Sequence, residues 1–368
     1  EPGAATRGQR DEVGAEGLRL PEDLAPGVPE ADQALHGDAV EMHLDGLEVI
    51  EGVGLQAAHL LVDVGDHSAL VIDEAKLYIP EFEKDTGIKV EWVRMSAGEV
   101  LTRIRAEGSN PQASIWFGGP SQEHIAGKKF GLLAPYKPNI DWTLPANGHD
   151  SDWHWVGYYF GAIGFGSNSN ILKKINAEPP ASWEDLLKPA LKKQIAIAFP
   201  YTSGTSYTVL ATLVQMWGED KAFEYWKKLN TNIHHYDKSG SAPVTQAGLG
   251  EVGVAISFSH DIIAKGSAKG YPVVISFPKE GTGYEIGAMS LIKGGPEPEL
   301  AKKFIDWALS VRAQDLMQQW FRIPLNPKAT VAPGAVRADQ VKLINFDAVK
   351  AGEEKDRLIK RWRQEIGQ

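Results

Sequence analysis

Residues 194–217 read QIAIAFPYTSGTSYTVLATLVQMW, and this stretch decides the fold. The apolar run from Ile195 has the length of a buried strand. A long apolar helix leaves the joint Thr202-Ser203-Gly204-Thr205-Ser206. Strand, short loop and helix in that order are the repeating unit of an α/β sheet. The five small residues at the joint have two readings. They turn the corner and cap the helix, or they hold an anion where unpaired N–H groups and the helix dipole favour one.

The same alternation extends in both directions. Ser68–Ile72 reads as a short strand. Asp73 then caps a helix that carries Leu77, Tyr78 and Phe82, is kinked by Pro80 and ends at Gly87. Ile88–Met95 is the next strand, and Ser96-Ala97-Gly98-Glu99 is a capping box that opens a helix burying Val100, Leu101 and Ile104. Gln112–Phe117 follows as a third strand, ending at Gly118-Gly119-Pro120.

After an irregular connection over 135–156, the apolar Gly157–Ser167 starts a second series. It holds a helix near Ser182–Asp185, the opening stretch, a helix near Glu219–Lys228 and a loop at Lys238–Pro243. The strand Val252–Phe258 ends in Ser259-His260-Asp261, and Pro272–Phe277 and Tyr284–Ile292 are further strands. The last third is helical around a turn at Ile323–Pro327. The expected fold class is therefore α/β: two lobes, each a mostly parallel sheet flanked by helices.

In such sheets ligands sit beyond the carboxyl ends of the strands. That makes Ser96, Gly118, Gly119 and the loop from Thr202 to Ser206 candidate ligand-binding positions. For Ser96 alone a helix cap is the simpler reading. His260 and Asp261 either cap the helix at Ile262 or face the cleft. Glu285 lies inside an apolar strand, where an ionised group needs a partner or water.

The chain of 368 residues is long enough for two such lobes. It has no apolar run of the ~18–20 residues a membrane span needs, and it begins at Glu1 without the basic and apolar regions of a signal peptide, which is expected to have been removed or to lie outside this stretch. The absence of cysteine excludes disulfides, thiolate metal sites and a cysteine nucleophile. The net charge of −10 is unevenly spread. Residues 1–66 hold 15 acidic side chains against three arginines and contain no Phe, Trp or Tyr. The remainder is near neutral, so nucleic acid is not an expected partner. The break at residue 66 marks an acidic, aromatic-free extension, disordered or artefactual in origin. Its histidines His36, His43 and His59, with His67 just beyond, have no defensible metal-ligand spacing.

From Ser68 to about residue 335 the chain resembles the solute-binding proteins of ABC transporters. The resemblance rests on EFEKDTGIKVEW, NPQASIWFGG, WVGYYFGAIGFGSNSNIL, EPPASWEDLL, YTSGTSYTVLATL, GYEIGAMSLIKGGPEPELAKKFIDWALS and FRIPLNP in that order. It is similar to the branch that holds ferric-ion, hexose-phosphate and aminoethylphosphonate binders. The resemblance implies the type II periplasmic-binding-protein fold, with the ligand closed between two lobes and passed to a membrane permease. The first lobe would comprise residues 67–160 with about 285–315, and the second 161–284 with the C-terminal helices over 316–368.

Ferric members carry two adjacent tyrosines where this chain has Ser259-His260-Asp261, which disfavours iron. The His-Asp pair and Glu285 within Gly-Tyr-Glu-Ile-Gly resemble the hexose-phosphate type, in which these groups bind sugar hydroxyls. The chemistry agrees, since carboxylates accept from vicinal hydroxyls and a histidine serves as either partner. Thr202, Ser203, Gly204, Thr205 and Ser206 would then cradle a phosphate. An aminoalkylphosphonate, its ammonium paired by Asp261 and Glu285, is the alternative. No catalytic residue, metal or cofactor is expected. There is no Ser-His-Asp order, HExxH or Walker loop, and the thiamin-degrading enzymes on this scaffold use a cysteine. A monomer in the periplasm or outside the cell is expected. The loop after the first strand looks shortened, because Ile72 passes at once into Asp73-Glu74.

Overall fold

The computed structural model describes residues 59–65 and 69–367, with side chains from Glu74 onward. The extension up to residue 58, with His36 and His43, lies outside the described residues, as do His67, Ser68 and the His59 side chain.

β1 (His59–Gly65), β2 (Lys89–Met95) and β3 (Ile115–Pro120) are parallel. β4 (Leu133–Ala134) is a short edge piece. β5 (Val156–Asn168) is the long crossing strand. β6 (Ile195–Ala198), β7 (Ile233–Asp237) and β8 (Val254–Phe258) are again parallel. β9 (Val273–Ser276), β10 (Tyr284–Ile292) and β11 (Ile323–Pro324) complete the described strands. The sheet runs β2-β1-β3-β10-β5-β8-β6-β7. β5 joins its halves: Val156–Ala162 pairs with β10, and Ile163–Asn168 with β8 and β9.

The helices are α1 (Ala69–Thr86), α2 (Ala97–Glu107), α3 (Ser121–Lys129), α4 (Ser169–Lys174), α5 (Gly204–Trp217) and α6 (Glu219–Asn230). They continue with α7 (Ala242–Leu249), α8 (Ser259–Lys265), α9 (Pro298–Ala308), α10 (Val311–Asp315) and α11 (Ala348–Ile366). β6 and β8 are buried along their whole length, as apolar parallel strands covered by helices should be.

One core gathers Tyr78, Phe82, Phe117, Tyr158, Met289 and Phe304. The other gathers Phe165, Trp183, Tyr207, Phe223, Trp226 and Trp362. α11 reaches both lobes. Its Leu358, Trp362 and Ile366 lie in the second core. On another side Lys355 forms a buried ion pair with Glu123 of α3, and Gly352 fits where a Cβ would come within 2.6 Å of the Ile125 side chain.

Several expectations are corrected. Residues 69–72 open α1 and are not a strand, so Asp73 lies inside a helix and not at its start. A short apolar run fits a strand or a turn of buried helix equally well, and here the helical spacing of Tyr78, Ile79 and Phe82 wins. The first described strand is β1, inside the segment read as extension, and it pairs with β2 and β3. The sheet thus starts before the composition break at residue 66. Gly118-Gly119-Pro120 belongs to β3. Near Ser182 the chain makes the short 3-10 turns Glu184–Leu187 and Pro189–Leu191, with Pro189 opening the second. Met317 and Trp320 pack in the first core, not the second. β11 explains this: it pairs with Phe160 and Tyr159, in the half of β5 that lies beside β10.

Candidate functional site

β6 and β8 are neighbouring parallel strands, which sit about 4.8 Å apart. The loop after β6 leads into α5, and β8 leads straight into α8. Thr202–Ser206 and Ser259–Asp261 therefore emerge at the carboxyl ends of adjacent strands, where α/β sheets bind ligands, while Glu285 comes from the start of β10.

The first group is neutral. Ser203 precedes α5, and Gly204, Thr205 and Ser206 form its first turn, whose N–H groups have no carbonyl four residues back. Ser203 Oγ, Thr205 Oγ1 and Ser206 Oγ are buried and have no hydrogen-bond partner among the described residues. A buried hydroxyl left so costs ~1–3 kcal/mol, so the three together form a set of donors that acceptor atoms would satisfy. Gly240 closes one side: a Cβ there would stand 2.2 Å from Thr205 Oγ1 and 2.7 Å from Ser203 Oγ. Ser257 of β8 donates to the Gly240 carbonyl at 2.9 Å, and buried Lys265 donates to Ser241 Oγ at 2.5 Å.

The first lobe closes on this loop. Gly98 N–H donates to the Thr202 carbonyl at 3.1 Å, and the Ser96 hydroxyl donates to the Lys238 carbonyl at 3.4 Å. Gln122 of α3 donates to Thr208 Oγ1 at 2.6 Å. A side chain at Gly98 would meet the Tyr201 carbonyl oxygen at 2.6 Å, so the approach needs glycine.

The second group is ionic. His260, Asp261 and Glu285 are each no more than 2% exposed. They gather around Arg322, which is equally buried. Its Nε and Nη2 donate to Glu74 Oε2 at 3.2 and 3.0 Å, and Nη1 lies 3.0 Å from His260 Nε2. Its guanidinium lies 4.0 Å above the Tyr159 ring. Glu285 Oε1 is 3.5 Å and Asp261 Oδ2 3.7 Å from His260 Nε2. The imidazole stacks on Phe258 and packs over Gly161, where a Cβ would stand 2.4 Å from Nδ1. Such a cluster offers carboxylate acceptors to hydroxyl donors.

The structure thus brings together Ser203 and Thr205 at Gly240, and His260, Asp261 and Glu285 around Arg322. Thr202 stands at the lobe contact, its hydroxyl donating to the Lys238 carbonyl at 2.9 Å. Ser96 stands at the same contact, while Glu99 accepts from the Ser96 N–H at 2.9 Å. Gly118 and Gly119 adopt φ of 94° and 92°, which favour glycine. The Gly118 carbonyl accepts from His124 Nε2 at 3.1 Å. Pro120 beside them is the register partner of Gly287, two residues beyond Glu285.

Sequence reasoning missed Arg322, Glu74, Tyr159, Gly161 and Gly98. Only Arg322 had a local signal, a cation set directly before the apolar Ile323-Pro324-Leu325. Among the described residues, Asp150, Asp152 and His154 form a group of metal-capable side chains. Lys128 already lies within 2.8 and 3.0 Å of its two carboxylates. No helix among the described residues is long and apolar enough to cross a membrane.

The chain is 38% identical to an uncharacterised protein of Haemophilus influenzae over 77% of its own length and 85% of the other's. It is 28% identical to a putative 2-aminoethylphosphonate-binding periplasmic protein of Salmonella typhimurium, over 63% and 68% of the two chains. Its structure superposes on that of the periplasmic binding protein AfuA from Actinobacillus pleuropneumoniae, solved with exogenous fructose-6-phosphate bound. The TM-score is 0.80 and the identity 35%, covering 84% of this chain and 99% of that one. The fold is that of the type II periplasmic binding proteins. The family model for bacterial extracellular solute-binding proteins matches residues 116–351. The match spans more than half of the chain, which therefore belongs to that family and is a solute-binding protein of the ABC-importer type.

Proposed function

We propose that the protein captures a small phosphorylated organic solute, a hexose phosphate, between its lobes and presents it to an importer permease. It would work as a monomer on the outer side of the cytoplasmic membrane. The observation that carries this reading is the set of three buried hydroxyls, Ser203, Thr205 and Ser206, at the N-terminus of α5 with no partner among the described residues. Phosphate oxygens accept from such donors, and the helix dipole favours their charge. The carboxylates of Asp261, just after β8, and of Glu285, near the start of β10, then meet the sugar hydroxyls. The likeness to a protein solved with fructose-6-phosphate supports the same solute class.

A second reading is an aminoalkylphosphonate, favoured by the likeness to the putative aminoethylphosphonate binder and by carboxylates that can pair an ammonium. Calorimetric titration with fructose-6-phosphate, fructose, inorganic phosphate and 2-aminoethylphosphonate separates them. Tight binding of the sugar phosphate, with free sugar and phosphate both weak, is the expected result. Binding of 2-aminoethylphosphonate alone would replace the first reading with the second. Small-angle scattering should show a more compact protein at saturation, since hinge closure accompanies binding in such folds.

A further inference from the structure

We propose that the contact between α3 and α11 is a fulcrum. It stays shut while the lobes open and close, and it adds a helical element to a hinge otherwise made of crossing strands. This inference rests on the hinge motion of the proposed function and names the part of the molecule about which that motion turns.

The sheet order sets the lever. β10 and β5 lie at its middle, whereas β2 and β7 are its outermost strands. Ser96 follows β2 and Lys238 follows β7. The 3.4 Å bond between them therefore joins points far from the crossing strands on either side. The neighbouring bond, from Gly98 N–H to the Thr202 carbonyl, starts from the same outlying helix, α2. A rotation moves each atom in proportion to its distance from the axis, so these two contacts part when the cleft opens.

α3 and α11 meet beside the axis. Ile125 of α3 packs in one cluster with Phe160 and Ala162 of β5 and Ile286 and Ala288 of β10, and Ala348 of α11 packs against that cluster. α11 is anchored in the second lobe by Leu358, Trp362 and Ile366. The two helices touch without slack: a Cβ on Gly352 would stand 2.6 Å from Ile125 Cγ2 and 2.8 Å from the Gln122 carbonyl oxygen. Glu123 and Lys355 pair beside it, both buried, and the Lys355 ammonium lies 4.6 Å above the Tyr207 ring. At the rim Lys129 Nζ donates to the Glu353 carbonyl at 2.6 Å. A small parting here would separate two buried charges before water could reach them. Hinge motion is absorbed by a few residues that turn, while packed contacts move as bodies. Small displacement and high cost together keep this contact shut.

The chain has no cysteine, so an introduced pair reacts alone. Lys129→Cys with Glu353→Cys spans the fulcrum, and Thr102→Cys with Lys238→Cys spans the mouth of the cleft; all four side chains are exposed. Each pair is joined by a short bismaleimide and measured by small-angle scattering without solute, then by release of bound fructose-6-phosphate. The mouth link should shrink the solute-free protein and slow release by about tenfold or more. The fulcrum link should leave both the dimensions and the release rate of its unlinked variant. A fulcrum link that shrinks the protein as the mouth link does overturns the proposal and makes α3–α11 a clasp that opens with the cleft. A mouth link without effect on the solute-free dimensions would mean that the lobes do not part, and the fulcrum falls with that motion. Wild-type protein that binds no fructose-6-phosphate would defeat the proposed solute instead, and the scattering of the two linked, solute-free variants would still decide the fulcrum.

Discussion

The two ends of the cleft solve opposite problems. At the start of α5, polar atoms are buried without partners and without charge. Around Arg322, charges are buried and held by one another: Glu74 on one side, His260 on the other, Glu285 at 4.0 Å. On the proposed function the neutral end gains partners only from a solute, and its unpartnered hydroxyls contribute little to the empty protein. The ionic end already contributes to the fold, because each of its charges depends on the others. Stability and affinity should therefore respond differently to truncation at the two ends.

The largest effect is expected at Glu74. Glu74→Ala leaves a buried guanidinium with a missing partner and should destabilise the solute-free protein by about 3–5 kcal/mol, measured by urea denaturation. A loss under about 1 kcal/mol would mean that the network is not what holds Arg322.

Ser203→Ala, Thr205→Ala and Ser206→Ala should show the reverse pattern. Each removes a hydroxyl with no partner among the described residues, so stability without solute should hold or rise. Affinity for a phosphate ester should fall by about 1.5–3 kcal/mol apiece, the range for hydrogen bonds to charged groups. If stability falls as far as affinity, the contrast between the two ends fails.

His124 sharpens the comparison as a buried polar group that is fully satisfied. Its Nδ1 is 2.7 Å from Ser290 Oγ and its Nε2 3.1 Å from the Gly118 carbonyl. Burial pushes its pKa down from 6.5 to about 3. The unfolded chain therefore binds a proton near pH 6.5 that the folded protein refuses until about pH 3, and stability is lost as pH falls through that window. Between pH 6.5 and 5 the loss from this group is about 2 kcal/mol. His124→Gln should flatten that part of the stability curve, and an unchanged slope would assign the acid sensitivity elsewhere.

The smallest effect belongs to the contact that closes the cleft. Gly98→Ala places a methyl group 2.6 Å from the Tyr201 carbonyl oxygen. It should hold the lobes slightly apart, weaken solute binding by about 1 kcal/mol and reduce the compaction seen by scattering. Unchanged affinity would place closure at another contact.

The neutral end was legible in the sequence because it is local. Strand, hydroxyl loop and helix are contiguous from Ile195 to Trp217. The ionic end is assembled from residues 74, 159, 161, 260, 261, 285 and 322, and no short window contains it. His260, Asp261 and Glu285 came into view through family likeness, and Arg322 and Glu74 did not come into view at all. Glu74 carried no local signal, because the guanidinium that it holds lies 248 residues further along the chain. β1 was half visible: the apolar Leu60, Leu61 and Val62 fit a short helix or a strand equally, while the acidic, aromatic-free composition argued against an independent domain just where His59–Gly65 pairs with two neighbours.

The ion pair between Lys355 and Glu123 spans 232 residues. A chain made from its N-terminus exposes α3 long before α11 exists, and contacts of such long sequence separation form late and slowly. Tyr207 also waits for this helix, because its hydroxyl donates to the Ala351 carbonyl. The first lobe waits for β10 to enter between β3 and β5, and the second core lacks Trp362 until α11 is made. Completion of the molecule is therefore gated by its last helix, and a chain shortened by those twenty-odd residues would leave a buried carboxylate and an open hydrophobic face together.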